Sequence, residues 1–426
     1  QKNHTLAIFI DYSKAFDTIQ HSILLQKLYH YGIRGKTNEL LASYLTGRSQ
    51  YVHFDQDTFS DCLPITCGVP QGSVLGPLLF ILYINDVTSC QCTCDNTAVC
   101  TSNCADRNLF VLFADDCNTF IKDETMGGAF EKANALLCNL KSYIDANYLH
   151  INLTKSKFML FRTPRSKPNF EADNYTLTYD GFNLQRVKCI KFLGVFIEES
   201  LNWSDHINYI GKKISKVNGV LYQLRKTAPK MLRIAIFNAL VQSHLSYGIT
   251  VWGSNTATNK LNKLFINQKK ALRNVFGIRR VNKHQQGNTK HVFNENKVLS
   301  VYGLYHKFIL TEGFQLVHAG GYPTLLRKHF QTSAVNDKRF ICPRVYYKDN
   351  MHNMLYAVPR IWNAVNNSSY LPKNIKSISS FKNNIKQFIL MYQSNGSNNT
   401  WEPSNLDAQT FFVTASKNPE SCSVTR

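Results

Sequence analysis

The chain has 426 residues, with 49 Lys+Arg against 28 Asp+Glu and a formal net charge of +21. Charged residues make up 18% and hydrophobic ones 44%, which excludes a disordered or fibrous chain. The length allows two or three domains with a sizeable core, and the surplus points to a polyanion partner, either nucleic acid or an anionic membrane surface.

The surplus is uneven. Residues 1–200 hold 18 Lys+Arg and 20 Asp+Glu, a balance of −2, whereas residues 201–426 hold 31 and 8, a balance of +23. A membrane-surface protein more often puts its charge on one amphipathic helix. Here the basic residues spread over the whole second half, which favours a long polyanion. The longest apolar run, residues 74–84, is about half of the roughly 20 residues that span a bilayer, so no membrane partner is expected. No signal peptide opens the chain, its first residue is Gln1, and a strand pattern follows almost at once; it reads as an excised piece of a longer polypeptide.

Residues 6–10 form a short apolar run ending at Asp11, a buried-strand pattern. Residues 17–31 read as a helix closed by Gly32, and 40–45 as a second short helix. Residues 50–54 and 62–67 read as paired strands, and 74–87 as a buried helix after a Pro-Gln-Gly turn. Residues 109–113 and 117–121 form a hairpin with Ala114-Asp115-Asp116 at its tip. A long amphipathic helix covers 125–146, and strands follow at 158–161, 176–179 and 190–197. From Trp203 apolar residues recur at helical spacing, with Lys212, Lys213, Lys216, Arg225 and Lys226 interleaved. Helices at 231–247 and 261–275 continue the pattern, so an α+β half precedes a helical, basic half. The Asn/Ser-rich stretch after about 393 is expected to be a flexible tail.

Asp11 ends one apolar strand, and Asp115 with Asp116 caps a hairpin of two others. A carboxylate beside a central strand costs several kcal/mol unless it is paired or bound to metal, and adjacent carboxylates raise that cost. A divalent cation resolves the conflict, and hard oxygen ligands select Mg²⁺. Two such ions roughly 4 Å apart can clamp the attacking and leaving oxygens of a phosphoryl displacement. The competing reading is an ordinary Asp-rich turn and a strand-end cap.

Three motifs now stand in order: Asp11-Tyr12-Ser13-Lys14-Ala15-Phe16-Asp17, Gly68-Val69-Pro70-Gln71-Gly72-Ser73, and Phe113-Ala114-Asp115-Asp116. Together they resemble the palm of reverse transcriptases of non-LTR (LINE-type, jockey-like) retrotransposons. Residues 152–155 and Phe192-Leu193-Gly194 resemble two further palm motifs, and Tyr247-Gly248, Val251-Trp252-Gly253 and Ile361-Trp362-Asn363 resemble the family's thumb and C-terminal region.

The resemblance implies a right-hand polymerase palm, an antiparallel sheet packed on helices, followed by a helical thumb and a mixed, mostly helical C-terminal region. Boundaries are expected at 1–200 for the palm with partial fingers, 201–290 for the thumb, 291–392 for the basic C-terminal region and 393–426 for the tail. It implies an RNA-directed DNA polymerase using an RNA template, a DNA primer and dNTPs, with two Mg²⁺ ions for which Mn²⁺ can substitute. Asp11, Asp115 and Asp116 would hold the metals, with the Tyr12 carbonyl as a further ligand. Phe16 would block a ribose 2′-OH. Pro70, Gln71, Gly72 and Ala114 would line the nucleotide site, Lys155 would protonate the departing pyrophosphate, and Phe192, Leu193 and Gly194 would grip the primer. Lys212, Lys213, Lys216, Arg225, Lys226, Lys269, Lys270 and Arg273, with Arg279 and Arg280, would contact phosphates. The family also implies an intracellular ribonucleoprotein in cytoplasm and nucleus.

Two features depart from the family's pattern. No upstream fingers segment precedes Asp11, so an inactive fragment or a nucleic-acid-binding relic is an alternative, as is an intron-type maturase or an RNA-dependent RNA polymerase. The loop between Val87 and Leu109 is long and carries Cys90, Cys92, Cys94, Cys100 and Cys104. Four thiolates can close a zinc site, but the spacing matches no standard zinc pattern, and reduced free thiols are the competing reading.

Overall fold

The computed structural model describes residues 4–55, 58–91, 108–162, 175–253, 258–278, 289–318, 327, 329–332, 339–342, 354–366 and 377–395. The chain divides into two compact units: residues 1–190 with 198–201, and residues 191–197 with 202–426.

The first unit begins with strand β1 (His4–Ile10), helix α1 (His21–His30) and helix α2 (Lys36–Leu45). Short strands β2 (Ser49–Gln50), β3 (His53–Asp55), β4 (Thr58–Phe59) and β5 (Leu63–Pro64) follow, pairing β2 with β5 and β3 with β4. Helix α3 (Leu75–Ile84) runs into a 3₁₀ segment (Asn85–Gln91). Then come β6 (Leu109–Phe113), β7 (Asp116–Asp123), α4 (Met126–Ala146) and β8 (Lys157–Phe161). Small strands β9 (Thr178–Tyr179), β10 (Phe182–Asn183) and β11 (Gln185–Arg186) close the unit.

The main sheet has the order β11-β8-β1-β7-β6. All its pairs are antiparallel except β11 with β8, so the expected antiparallel sheet carries one parallel edge strand. β1 lies between two neighbours, which is why Leu6, Ala7 and Ile8 are all fully buried. By the two-residue period of a strand, Leu6, Ile8 and Ile10 join the core formed with α1, α3 and α4. α4 turns Ala129, Ala133, Leu136 and Leu140 inward, and its first turn is capped by Thr125, whose Oγ1 accepts from the Gly128 N–H at 3.0 Å.

Three expectations are corrected here. The helix after Asp11 starts at His21 rather than residue 17, because the intervening backbone is held by other elements. Asp116 lies in β7, opposite Phe113, so the hairpin turn is only Ala114-Asp115. Residues 190–197 form a hairpin, β12 (Cys189–Phe192) with β13 (Val195–Glu198), rather than one strand.

Among the described residues the second unit has helices α5 (Ser204–Gln223), α6 (Lys230–Phe237), α7 (Ser243–Ser246), α8 (Ile249–Trp252), α9 (Thr258–Phe276), α10 (Lys290–Glu295) and α11 (Val301–His318), followed by helices Met354–Asn366 and Ile378–Asn395. A π-helical turn, Asn238–Gln242, joins α6 to α7. One core runs through all of them, including Phe237, Trp252, Phe293, Trp362 and Phe381. It crosses position 290, where a boundary between thumb and C-terminal region is expected. No helix among the described residues is long and apolar enough to cross a membrane.

Two buried histidines give this unit an acid sensitivity. His206 (2% exposed) accepts the Phe196 N–H at Nδ1, 3.2 Å, and packs edge-on to Trp252; His306 (3% exposed) lies in α11. Burial pushes each imidazole down to about 4. The unfolded chain, with an ordinary value near 6.5, therefore takes up protons that the folded chain refuses. This stability is fully present above about pH 6.5 and is lost as pH falls towards 4. At pH 5 each histidine is expected to lower stability by on the order of 2 kcal/mol. Urea unfolding at pH 7 and pH 5 checks this: His206→Gln should lose less on acidification than the wild type, and an equal loss would contradict it.

Candidate active site

The carboxylates come together because β1 and β7 are neighbours. Ile10 pairs with Cys117, so Asp11 and Asp116 are the next residues along the two strands. Ala114 begins the β6–β7 turn with φ of 50°, a left-handed conformation that glycine usually supplies, and Asp115 follows it, exposed. Burial first, then the charges of Asp115 and Asp11, push the Asp116 carboxyl above the usual carboxylate range. Asp116 thus senses both of the other carboxylates, one of them from a chain segment about a hundred residues away.

Asp11 is fixed from a third segment. Its N–H donates to Ser156 Oγ at 3.1 Å, and its carbonyl accepts from the Asn152 N–H at 2.8 Å. Tyr12 bridges to Ile151, and the Ser13 N–H donates to the His150 carbonyl at 2.8 Å. Burial, with the adjacent Cys117 thiol, raises the Tyr12 phenol well above its usual range. Lys155 brings its Nζ to 3.6 Å from Asp11 Oδ2. Lys157, two residues on, instead donates to Gln185 Oε1.

The turn containing Pro70, Gln71 and Gly72 docks on the segment after Asp11. The Gly68 N–H donates to the Ile19 carbonyl at 2.8 Å and the Val69 N–H to the Phe16 carbonyl at 2.9 Å. Gln71 Nε2 donates to Asp17 Oδ1 at 2.9 Å. His21, buried at the start of α1, places Nε2 at 2.7 Å from the Gly68 carbonyl. Gly68 has φ of 85°, and a Cβ there would lie 2.9 Å from Asp17 Cα. Phe16 is half-buried, its ring centroid 4.8 Å from that of Phe80 in α3. Sequence reasoning passed over Asp17, His21, Phe80 and Ser156. Two of them stood beside residues already singled out, Asp17 next to Phe16 and Ser156 next to Lys155.

The other sequence candidates lie elsewhere. Leu193 and Gly194 form the β12–β13 turn, with φ of 44° and 82°, and belong to the second unit with Phe192. There the Tyr247 hydroxyl donates to the Leu193 carbonyl at 2.6 Å. Lys212, Lys213 and Lys216 are exposed on α5, as are Lys226 just beyond it and Lys270 on α9; Arg225, Lys269 and Arg273 are half-buried. Lys213, Arg225 and Lys269 each lie over an aromatic ring, of Tyr209, Tyr222 and Phe265. Arg279 and Arg280 lie outside the described residues, as do Cys92, Cys94, Cys100 and Cys104. Cys90 is described: it is buried, and burial raises its thiol to about 11.

Among the described residues, no three His, Cys, Asp or Glu side chains converge closely enough to hold a metal ion as they stand. The chemistry of the donor set nevertheless fits a hard divalent cation. It is all oxygen, and the Asp116 carboxyl is raised by burial first and then by the charges of Asp115 and Asp11, both of which a bound cation would offset.

Residues 1–197 match the family model described as reverse transcriptase (RNA-dependent DNA polymerase). This bears out a polymerase palm of mixed sheet and helix for the first unit. The chain is similar to the "RNA-directed DNA polymerase from mobile element jockey" of Drosophila melanogaster, 26% identical over 280 residues, 65% of this chain and 29% of the relative. The jockey polymerase of Drosophila funebris is 27% identical over 281 residues, covering 65% and 29%. The "Probable RNA-directed DNA polymerase from transposon X-element" of Drosophila melanogaster is 25% identical over 309 residues, covering 71% and 32%. The resemblance to a jockey-like non-LTR reverse transcriptase is thus borne out, and the chain spans about 29% of the length of the first two relatives. A solved telomerase from Candida albicans, in complex with a fragment of telomeric RNA, gives a TM-score of 0.35 at 12% identity, covering 66% of this chain and 49% of that one.

Proposed function

We propose that the chain is the polymerising part of a retrotransposon reverse transcriptase, copying an RNA template into DNA by nucleotidyl transfer from dNTPs to a primer 3′-OH. The observation that carries this reading is the strand register that sets Asp11 beside Asp116, with Asp115 next in the turn, the Asp116 carboxyl being raised first by burial and then by the other two. Asp11, Asp115 and Asp116 would hold two Mg²⁺ ions, replaceable by Mn²⁺, with the Tyr12 carbonyl assisting. Bound metal would supply Lewis-acid activation of the hydroxyl and neutralise charge on the phosphates.

The remaining residues position. Gln71, tied to Asp17, offers its amide to the incoming nucleotide, with Pro70, Gly72 and Ala114 shaping the site. Lys155 Nζ, beside Asp11, is placed to give a proton to the departing pyrophosphate. Phe192, Leu193 and Gly194 form the primer grip, and the basic faces of α5 and α9 follow the primer–template backbone through phosphates, making binding salt-dependent. Primer extension on poly(rA)/oligo(dT) tests the reading: extension should require divalent metal and dNTPs, and its absence under all metal conditions would refute it.

Phe16 is the residue that would exclude ribonucleotides, because Phe80 backs its ring and keeps it rigid. Phe16→Ala should raise incorporation of rNTP relative to dNTP by on the order of 10-fold or more. Competitive single-nucleotide extension measures the ratio, and an unchanged ratio would remove the gate.

A further inference from the structure

The second unit holds a cavity of about 400 Å³, within the roughly 300–1,000 Å³ range of small-molecule pockets. Part of its wall is aromatic, made by Phe237, Phe276 and Phe308, and three lysines line it as well: Lys297, Lys307 and Lys386. The π-helical turn adds Asn238 and Gln242. Such turns occur frequently at functional sites, where one extra residue re-aims side chains.

The lysines are poorly explained by packing alone. Lys307 and Lys386 are half-buried on α11 and on the helix Ile378–Asn395, which pack together. No carboxylate pairs with any of the three among the described residues. Burial pushes the Lys307 amine down, and the charges of Lys386 and Lys382 add to this. Lys297 has φ of 51° just past α10, and the Val298 N–H closes the turn on the Phe293 carbonyl at 2.8 Å. Glycine or asparagine is the usual residue at such a helix stop. Three like charges around a half-buried cavity, one on an unfavourable backbone, are compensated if an anion with a flat apolar body enters it.

We propose that this cavity is a nucleotide-binding pocket, in which the lysines hold a phosphate and the phenylalanine wall holds the base. A free nucleoside phosphate and one nucleotide of a strand share this chemistry. The balance of +23 over residues 201–426 favours the strand, since neighbouring phosphates would find cations beyond the pocket. The proposal is independent of the polymerase reading, because nothing in the pocket requires metal or the carboxylates.

The test uses the full chain in EDTA, with fluorescence anisotropy of a short labelled oligouridylate across a salt series. Lys297→Gly and Lys386→Gln should each reduce the salt-dependence slope by about 0.7 and weaken binding several-fold. Phe308→Ala should weaken binding with the slope unchanged, which a diffuse basic surface would not produce. Lys297→Gly suits its backbone better than the native lysine, so it keeps the test open should another variant fail to fold. UMP that displaces the oligonucleotide from wild type but not from Lys297→Gly identifies the pocket as one that also takes free nucleotide. UMP without effect, with the variant slopes reduced, identifies it as a strand site. Wild-type slopes and affinities in Lys297→Gly, Lys386→Gln and Phe308→Ala overturn the proposal. The binding is read in EDTA and without extension, which separates this result from any failure of the polymerase.

Discussion

Asp115→Asn is expected to lower primer extension by roughly 10³-fold or more while leaving the fold unchanged. The side chain is exposed at a hairpin turn, and the amide is nearly isosteric, so neither packing nor the turn depends on its charge. What the substitution removes is one of the anionic oxygens that would hold metal between primer and nucleotide. Asp116→Asn makes an informative partner. Its carboxyl is raised by burial and by two neighbouring charges, so it carries unfavourable repulsion in the folded chain, and neutralising it should stabilise the protein. Single-turnover extension together with urea unfolding measures both quantities. If Asp115→Asn kept roughly a tenth of the wild-type rate or more, it would have no place in the metal site.

Gly68→Ala is expected to lower the stability of the first unit by about 2–4 kcal/mol. A Cβ there meets Asp17 Cα and its carbonyl oxygen, each at 2.9 Å, and both are backbone atoms that cannot rotate away. The left-handed φ adds a penalty of its own. The displacement reaches the site directly, since Phe16 and Val69 share a backbone hydrogen bond and Asp17 holds Gln71. Activity should therefore fall along with stability. Gly72→Ala is the control: its φ is 79°, but nothing lies within 4 Å of the added methyl. It should lose only about 1–2 kcal/mol. Equal effects of the two in urea unfolding would show that the contact with Asp17 carries no weight.

The parts of the site that could be read in the sequence are those written locally. Alternation and apolar runs located β1 and the β6–β7 hairpin, and two of the three carboxylates are adjacent. The parts that could not be read depend on what lies across space. The helix after Asp11 begins at His21 because residues 16 and 19 spend their carbonyls on Val69 and Gly68, a tertiary demand that overrides helical spacing. The contact made by His21 cannot be read locally because its partner, the Gly68 carbonyl, is 47 positions away. Nothing local sets Lys307 and Lys386 apart, since sequence does not reveal that their helices pack together and line a cavity.

The central position of β1 also sets a timetable. Its register pairs His4 with Asp123 and Thr5 with Phe161, so neither neighbouring strand exists when β1 leaves the ribosome. At about 5–20 residues per second, the wait for β7 alone is on the order of 10 s. During that interval Leu6–Ile10, fully apolar and open on both edges, can pair with any other extended chain. Assembly of the carboxylates therefore depends on strands made long after the one that carries Asp11, a demand separate from the final stability of the sheet.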